Sequence, residues 1–260
     1  MDSCSTKFYH VHGFDSRENL ESYFSNKEEM VFKDDSLQFP MESLYRAFNE
    51  GLIKGDLLID ISSGSYVHHL YSASGCFKQV CVLRCADKCI MELNRWIHKR
   101  TGAFDWSHIF SLVKDLEGKS DLFQGEDITL KTAIANIMKC DFEKENLTDP
   151  EVLPPADCVI TVWLLELISK DQDVYRKNFR KIGKLLKPKG NLIIIAMLNT
   201  TYLTVGQDKI HVFKHDENFV KQVFTEEGFI IDHCAVKKRN AVSDLCDYGA
   251  ILYIAAHKEN

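Results

Sequence analysis

Apolar runs and amphipathic segments alternate along the chain from about residue 57 onward. Continuous apolar runs are typical of buried parallel strands, and they occupy residues 57–61, 79–83, 156–162 and 191–198, with a shorter one around 140–142. Apolar residues spaced by three or four positions predict helices over residues 70–74, 87–99, 130–138, 175–186 and 219–224. This alternation predicts an α/β fold built on a mostly parallel sheet.

Both ends of the chain depart from this alternation of strands and helices. Residues 229–236 and 250–256 are apolar runs close enough in sequence to pair as antiparallel strands at one edge of the sheet. Before residue 57, the pattern predicts two helices over 19–24 and 41–48, joined by a polar stretch at 25–35. We therefore expect one domain over residues 1–260, in which an N-terminal helical lid (1–50) covers a Rossmann-like core (57–260).

Composition and charge narrow the class of protein. The 260 residues are 45% hydrophobic, which is enough apolar material for one large core. The longest apolar stretches, 192–198 and 156–165, are far shorter than the roughly 20 residues that a membrane-spanning helix needs. Residues 1–7 lack the features of a targeting signal, so we expect a cytoplasmic protein without a membrane partner. A net charge of −6 argues against nucleic acid as a partner.

Nine cysteines are present, an odd count without the paired spacing of a disulfide framework. We interpret them as free thiols of a reducing compartment. Cys81, Cys85 and Cys89 form a C-x3-C-x3-C run that could suggest a metal site, but Cys81 is predicted within a strand and Cys89 on the next helix. We interpret them as small buried side chains and expect no metal.

The turn after the first predicted core strand is the place to look for a ligand, because open parallel sheets bind ligands at the carboxyl ends of their strands. The residues at 62–65 are three serines and Gly64, small enough for backbone N–H groups to approach a ligand. The three glycines of a dinucleotide-binding turn are missing. By itself this segment is either a ligand-binding turn or an ordinary tight loop.

Six phrases of the sequence together resemble the family of nicotinamide, indolethylamine and phenylethanolamine N-methyltransferases. They lie at residues 60–65, 102–107, 115–118, 139–141, 153–159 and 185–190, in the family's order and at similar separations, so the resemblance covers essentially the whole chain. It implies a class I methyltransferase fold, S-adenosylmethionine as cofactor, and N-methylation of a small amine, indolethylamine-like or pyridine-type acceptor. It also implies that the N-terminal helices close over the active site. We expect a monomer.

The resemblance assigns cofactor contacts residue by residue. The family's first turn is usually Asp-Ile-Gly-Ser-Gly-Pro, so Ser62 and Ser65 replace a glycine and the proline, whereas Ser63 and Gly64 are kept. Asp141 is implied to accept a hydrogen bond from the adenine amino group. The cofactor-binding residues implied in this way are Tyr23, Phe24, Ser62, Ser63, Gly64, His68, Asp141 and Phe142.

Several of these positions carry unusual residues. Arg84 stands where the family has an acidic residue that holds the ribose hydroxyls, and Asn19, His68 and Cys89 also replace family residues. Asp87, three residues after Arg84, could neutralise the arginine or supply the missing acceptor, so we include it among the cofactor-binding residues.

These departures leave three functions open. The first is an active methyltransferase that binds its cofactor largely through backbone contacts. The second is a degenerate relative that binds a small molecule or partner without efficient transfer. The third is an NADP-linked oxidoreductase, because an arginine at the end of the second strand can meet a 2′-phosphate, although the missing glycine pattern opposes it.

Glu166 is the predicted catalytic residue, since it follows the fourth core strand where the family places an acidic residue that faces the substrate. A carboxylate there can accept a hydrogen bond from an amine and stabilise developing positive charge. The alternative is a solvent-facing glutamate in the first turn of a helix.

Three further residues are candidates for acceptor binding. Ala196 stands where nicotinamide-specific relatives carry an aspartate, which predicts poor recognition of nicotinamide. Tyr202 lies in the stretch that resembles the family's substrate loop, and Trp163, with Leu203, could make the pocket apolar. Core packing is the alternative for each aromatic residue.

Overall fold

Seven of the ten strands form one mixed sheet in the computed structural model of the protein, which describes residues 6–25, 32–49, 53–117 and 123–259. Cys4, Gly118 and part of the predicted polar stretch at 25–35 lie outside the described residues. The strands are β1 (Thr6–Lys7), β2 (Gly55–Ile61), β3 (Phe77–Arg84), β4 (Ile134–Lys139), β5 (Ala156–Val162), β6 (Leu186–Leu198), β7 (Tyr202–Val205), β8 (Asp208–His211), β9 (Phe229–Lys238) and β10 (Ala250–Lys258). The helices are α1 (Tyr9–His12), α2 (Ser16–Phe24), α3 (Phe39–Asn49), α4 (Asp87–Ile97), α5 (Ser107–Glu117), α6 (Phe123–Ala133), α7 (Leu165–Ile168), α8 (Gln172–Gly183) and α9 (Glu217–Glu226).

The strand order of the large sheet is β4-β3-β2-β5-β6-β10-β9. The pairings from β4 to β6 are parallel, and β10 is antiparallel to both β6 and β9. The predicted α/β fold, a mostly parallel sheet with an antiparallel C-terminal pair, is therefore confirmed. The order reverses between β2 and β5, and such a switch point opens a crevice at the carboxyl ends of the strands.

Apolar burial explains the core elements. Leu58, Ile59 and Ile61 of β2 are inaccessible to solvent, as expected of a parallel strand covered on both faces. Helix α4 buries Cys89, Leu93 and Trp96, which are spaced by three or four residues and therefore share one face. The amphipathic pattern that predicted this helix is thus the pattern that docks it on the sheet.

The sequence prediction was wrong around residues 130–142. Helix α6 ends at Ala133, and β4 occupies the stretch that was predicted to continue the helix. Short apolar runs fit either period, and here pairing with β3, in which Ile137 lies beside Val82, decides for a strand. The predicted helix at 70–74 is also wrong, because only a 3₁₀ turn, His68–Leu70, forms there.

A second, three-stranded sheet of β1, β8 and β7 was not predicted. Its β7–β8 hairpin turns at Gly206, whose φ of +60° favours glycine. The hairpin places the segment after β6 beside α2, because the Tyr23 hydroxyl donates to the Thr204 carbonyl at 2.9 Å.

The N-terminal helices lie against the carboxyl ends of the core strands. Helix α2 begins after Asp15, whose carboxylate accepts hydrogen bonds from the Arg17 and Glu18 backbone N–H groups. Asn19 on this helix accepts a hydrogen bond from the Tyr66 hydroxyl at 2.7 Å. Among the described residues, no helix combines the length and apolarity needed to cross a membrane.

Candidate active site

The carboxyl ends of β2, β3, β4 and β5 meet at the switch point of the sheet. The first turn, residues 62–66, follows β2, and Arg84 ends β3. Asp141 lies just beyond β4, and Trp163 immediately follows β5. The sheet thus brings together four of the segments in which the sequence predicted site residues.

Arg84 is fully buried, with 0% of its surface exposed. Its Nη2 donates to the Asp60 carboxylate at 2.6 Å, and its Nε donates to the Gly64 carbonyl at 2.7 Å. Further hydrogen bonds reach the carbonyls of Tyr66 at 3.0 Å and Leu83 at 2.8 Å. The guanidinium therefore lies beneath the first turn and binds its backbone, with its charge balanced by Asp60.

Asp60 is the centre of this group of contacts, which we call the arginine network: Arg84, Asp60, Ser62 and His69. Its Oδ1 accepts a hydrogen bond from the Ser62 hydroxyl at 2.5 Å and lies 3.0 Å from His69 Nε2. Burial alone would raise the pKa of Asp60, but the Arg84 charge, His69 and the Ser62 hydroxyl outweigh burial and hold the pKa well below its usual range. The carboxylate is therefore ionised at neutral pH.

Asp87 does not neutralise Arg84, contrary to the sequence-based expectation. It is exposed and pairs instead with Lys139, at 2.8 Å between Nζ and Oδ2. The reason is that the Arg84 side chain runs inward to Asp60, away from the start of α4. The same burial leaves the guanidinium facing protein carbonyls and a carboxylate, so it does not present the exposed charge that a 2′-phosphate would require.

The first turn is held by other parts of the protein. Ser62 Oγ accepts a hydrogen bond from the Val162 N–H at 3.0 Å, and the Ser63 N–H donates to the Val162 carbonyl at 3.0 Å. Gly64 has a φ of +61°, and a Cβ there would lie 2.6 Å from the Tyr66 ring. Glycine is therefore required by both conformation and space.

A larger cleft, which we call the open cleft, lies where β3 and β4 end. This cavity of about 610 Å³ is lined by Cys85, Lys139, Cys140, Asp141, Phe142, Glu143, Ile168, Lys170, Val174, Lys177 and Asn178. The Asp141 carboxylate accepts a hydrogen bond from the Glu143 N–H at 2.9 Å and otherwise borders the cavity. Asp141 and Phe142 are thus both on a cavity wall, as a ligand-binding prediction requires.

The aromatic cavity is a second, smaller space of about 40 Å³ between the first turn and the N-terminal helices. Its walls are Asn19, Tyr23, Phe24, Phe32, Ser36, Ser63, Tyr66, Trp163, Met197, Leu203, Cys246, Tyr248 and Ile251. It includes the predicted residues Tyr23, Phe24, Ser63 and Trp163. Apolar walls with a few polar groups are typical of small-molecule sites.

Trp163 is the most unusual residue of the aromatic cavity. Its φ of +47° is rare for a bulky side chain, and such conformations are concentrated at functional sites. Its buried indole Nε1 has no hydrogen-bond partner among the described residues. A buried donor without a partner costs about 1–3 kcal/mol, so a ligand that accepts this hydrogen bond would gain affinity.

His68 extends the aromatic surface beneath this cavity. Its ring centroid lies 5.0 Å from that of Phe24 and 6.1 Å from that of Trp106. Burial lowers the pKa of His68 well below its usual value, so the ring is neutral. Neither ring nitrogen has a hydrogen-bond partner within the described ranges. His68 is therefore packed as an aromatic residue beside the cavity and does not line it.

Tyr23 and Phe24 line the cavity with different parts of their side chains. The Tyr23 hydroxyl donates to the carbonyls of Thr204 and Leu245, at 2.9 and 3.0 Å, and so fastens α2 to the second sheet. The Phe24 ring faces that of Tyr66, with centroids 4.9 Å apart. The hydroxyl of Tyr23 is consequently engaged by the protein backbone.

Glu166 is buried, with 1% of its surface exposed, so the solvent-facing alternative is wrong. Its Oε1 accepts a hydrogen bond from the Met197 N–H at 2.9 Å. Strand β5 ends at Val162, so it has no carbonyl beside the Met197 N–H of β6. The Glu166 carboxylate supplies the missing acceptor. Burial raises the pKa of Glu166 to about 7, against the effect of that hydrogen bond. The residue on the cavity wall is Met197, with Glu166 behind it.

Ala196 and Tyr202 each lie one position away from a residue that lines the cavity. Ala196 is buried opposite Leu252 of β10, and the Tyr202 ring packs under Lys209, with Nζ 4.0 Å from the ring centroid. Successive side chains of a strand point to opposite faces, which is why their neighbours Met197 and Leu203 form the wall instead.

The sequence prediction missed Asp60 as the partner of Arg84, and it missed Met197 and Tyr248 as cavity residues. A usable signal existed for Asp60, since an acidic residue within a buried apolar strand requires a cation or hydrogen-bond donors. Strand alternation could have selected Met197 over Ala196. Nothing local to Tyr248 indicated its position.

Three N-methyltransferases are similar to this chain over 73–98% of its length. Human nicotinamide N-methyltransferase is 30% identical over 254 residues, which are 98% of this chain and 96% of the relative. Mouse indolethylamine N-methyltransferase is 30% identical over 250 residues, 94% of this chain and 93% of the relative. Mouse phenylethanolamine N-methyltransferase is 27% identical over 191 residues, 73% of this chain and 65% of the relative.

Solved structures share the fold at low identity. Magnesium protoporphyrin IX methyltransferase from Synechocystis, with bound S-adenosylmethionine, has a TM-score of 0.56 at 13% identity and covers 96% of this chain and 93% of its own. The 1,6-didemethyltoxoflavin-N1-methyltransferase from Burkholderia thailandensis, with bound S-adenosylhomocysteine, has a TM-score of 0.55 at 12% identity, with 100% and 94% covered. The fold is therefore that of class I methyltransferases, and since a model of the NNMT/PNMT/TEMT family matches residues 4–259, the chain belongs to that family.

Proposed function

We propose that the chain is an S-adenosylmethionine-dependent N-methyltransferase of small apolar amines that binds its cofactor weakly. The observation that carries this proposal is the aromatic cavity, which joins the first turn to the end of β5 through Ser63 and Trp163. Family membership supports the reaction type. We further propose that the protein acts as a monomer and that residues 1–50 form its lid.

The residues of the cleft fit the two ends of the cofactor unequally. Asp141 and Phe142 on the open cleft suit adenine, with the carboxylate available to the amino group. At the ribose end, Arg84 is turned inward to Asp60 and its guanidinium has donors only, so it offers no acceptor to the ribose hydroxyls. When bound, S-adenosylmethionine supplies an electrophilic methyl group. The mismatch at Arg84 is the reason for expecting weak binding.

The aromatic cavity suits an amine acceptor. Faces of Phe24, Tyr66 and Trp163 can stabilise an ammonium group by cation–π interaction, and the free Trp163 Nε1 can donate to an acceptor atom on the ligand. The present volume of about 40 Å³ is room for only two or three water molecules. Helix α2 must therefore move for an aromatic amine to enter, which is consistent with a lid, and its return would exclude water.

Glu166 is proposed to act through Met197, a residue of the cavity wall. By accepting the Met197 N–H, it positions the residue that faces the acceptor. Its raised pKa lets the carboxyl group exchange a proton near neutral pH. The predicted direct contact with the amine requires that Met197 move aside, so we assign Glu166 as a positioning residue.

A second function is favoured by the arginine network. If the buried Arg84 excludes the ribose, the protein binds a small molecule without transferring a methyl group. Isothermal titration with S-adenosylmethionine, S-adenosylhomocysteine and NADPH, together with methyl transfer from labelled S-adenosylmethionine, distinguishes the two. We expect weak binding of the first two ligands, none of NADPH, and measurable methylation of tryptamine.

Acceptor choice is tested in the same assay. Ala196 offers no side-chain acceptor to the amide of nicotinamide, and an unsatisfied buried amide costs about 1–3 kcal/mol, on the order of tenfold to a hundredfold in kcat/KM. We expect that preference for tryptamine over nicotinamide. A higher kcat/KM for nicotinamide would contradict the acceptor assignment, and no transfer to any amine would favour the second function.

A further inference from the structure

Two cysteines lie side by side where β3 and β4 end. Arg84 pairs with Lys139 in the parallel register, so Cys85 and Cys140 are the next residues of adjacent strands. The Cys140 N–H donates to the Arg84 carbonyl at 2.9 Å, and this hydrogen bond keeps the two segments in register beyond the ends of the strands. The two Sγ atoms are 3.5 Å apart.

This geometry suits a disulfide bond. Neighbouring strands lie about 4.8 Å apart, and disulfides join Cα atoms about 4.4–6.8 Å apart. The sulfur atoms must approach by roughly 1.5 Å to reach the S–S bond length of about 2.05 Å. Side-chain rotation can supply a movement of that size.

Both thiols border the open cleft, which gives a small reagent access to them. Cys85 is partly exposed, whereas Cys140 is 2% exposed. The hydrogen bond with Cys85, together with burial, raises the pKa of the Cys140 thiol well above its usual value. Cys85 is therefore the thiol that an incoming reagent meets first, with Cys140 behind it.

We propose that Cys85 and Cys140 form a redox site, a dithiol that a small disulfide such as glutathione disulfide converts into an intramolecular disulfide. The Cys85 thiolate attacks one sulfur of glutathione disulfide, which forms a mixed disulfide and releases one glutathione. The Cys140 thiolate then attacks the Cys85 sulfur and releases the second glutathione. The protein loses two electrons and two protons, and the two released glutathione molecules carry them.

The bond would change the open cleft. It removes two thiols from the wall and draws Cys140 toward Cys85, which shifts the adjacent Asp141 on the same wall. Asp141 is the residue proposed to bind adenine, so oxidation weakens binding at this cleft. Weaker binding after oxidation rests on the proposed function, because that function identifies the ligand. Formation of the disulfide does not depend on the proposed function.

Mass spectrometry on the full chain tests the disulfide. The protein is equilibrated with glutathione disulfide, its free thiols are blocked, and it is cut with trypsin, which cleaves after Arg84, Lys88, Lys139 and Lys144. We expect residues 85–88 to be linked to residues 140–144. The Cys140→Ser variant should stop at a glutathione adduct on Cys85, and Cys85→Ser should form no link.

Cys234→Ser is the matched control, because Cys234 is a partly exposed cysteine in β9, outside the cleft. It should link Cys85 to Cys140 as readily as the wild type. Should Cys140→Ser fail to fold, Cys140→Ala provides the same test. Persistence of both thiols as free groups, or linkage of either one to another cysteine, would overturn the proposal.

Ligand titration separates this inference from the proposed function. S-adenosylhomocysteine should bind the reduced protein at least several-fold more tightly than the oxidised protein. If the disulfide forms and affinity is unchanged, the link between redox state and the cleft is wrong. If the disulfide forms and neither state binds S-adenosylhomocysteine, the proposed function is wrong and the redox site stands.

Discussion

Asp60 and Glu166 are two buried carboxyl groups at the same edge of one sheet, and they are in opposite electrostatic states. Asp60, near the end of β2, contacts the Arg84 guanidinium, His69 and the Ser62 hydroxyl, and its pKa is lowered. Glu166, just after β5, accepts a hydrogen bond from the Met197 N–H, and burial raises its pKa to about 7. Equal burial thus gives opposite protonation behaviour, because Asp60 has the buried Arg84 cation beside it, whereas Glu166 has no ion-pair partner within the described part of the chain.

The difference separates a structural region from a reactive one. Both members of a fully hydrogen-bonded buried ion pair stay charged and paired, since removing either member leaves an unpaired buried charge. A buried carboxyl group without a cation can gain or lose a proton near neutral pH, which is a common property of active sites. The end of β2 therefore holds the first turn in place, whereas the end of β5 is the region suited to respond to a bound ligand and to pH.

The largest expected effect is on stability at the β2 end. Asp60→Asn leaves the Arg84 charge buried without a counter-ion, which costs about 3–5 kcal/mol in the free energy of unfolding. Asp87→Asn, the same change at the exposed pair with Lys139, should cost less than about 1 kcal/mol. Urea unfolding at neutral pH measures both. Equal costs for the two variants would show that the arginine network is not an essential ion pair.

Glu166→Gln should change the pH dependence of stability. Below about pH 4.5 the carboxyl group is protonated in both states; between pH 4.5 and 7 the unfolded chain releases the proton and the folded protein retains it. Stability contributed by the protonated group is therefore lost as pH rises through about 7, by up to roughly 3 kcal/mol. The Glu166→Gln variant has no titrating group at this position, so its free energy of unfolding should lack this decrease. Parallel pH profiles for the two proteins would place the Glu166 pKa near its ordinary value.

Removing both charges at the β2 end should improve cofactor binding. Arg84→Asp by itself would set a carboxylate beside Asp60, so we choose Asp60→Asn combined with Arg84→Ser. The two changes remove one charge of each sign and leave the net charge unchanged, so the expected gain comes from the serine hydroxyl, which can accept a hydrogen bond from the ribose. That bond is worth up to about 1.4 kcal/mol, about tenfold in Kd for S-adenosylmethionine. S-adenosylhomocysteine, which carries the same ribose, should gain equally. A gain for S-adenosylmethionine alone in calorimetry would point to charge, rather than a missing acceptor, as the obstacle.

The smallest effect is expected in the open cleft. Asp141→Ala should weaken S-adenosylhomocysteine binding about fivefold, because one hydrogen bond worth about 1 kcal/mol is lost. The free energy of unfolding should change by less than about 0.5 kcal/mol, since Asp141 is only half-buried. A large loss of stability would mean that this end of the cleft is as structural as the β2 end.

Much of the core was predictable because its elements have one clear period. The apolar run of β2 and the three-or-four spacing of α4 identify their structures locally. Residues 134–139 were not predictable in this way, since their apolar spacing fits a helix or a strand, and β3 decides between them. The β7–β8 hairpin was missed because its strands are four residues each and are stabilised by distant partners.

The sequence by itself determined the order of strands and helices, the family, and the segments that meet at the switch point, because these depend on local periodicity and on motifs. Only the tertiary structure decided that Arg84 turns inward to Asp60, that Met197 rather than Ala196 faces the cavity, and that Cys85 lies beside Cys140. Each of these facts depends on which side chains share a face of adjacent strands. That relation is set by strand order and register, which residues far apart in the chain establish together.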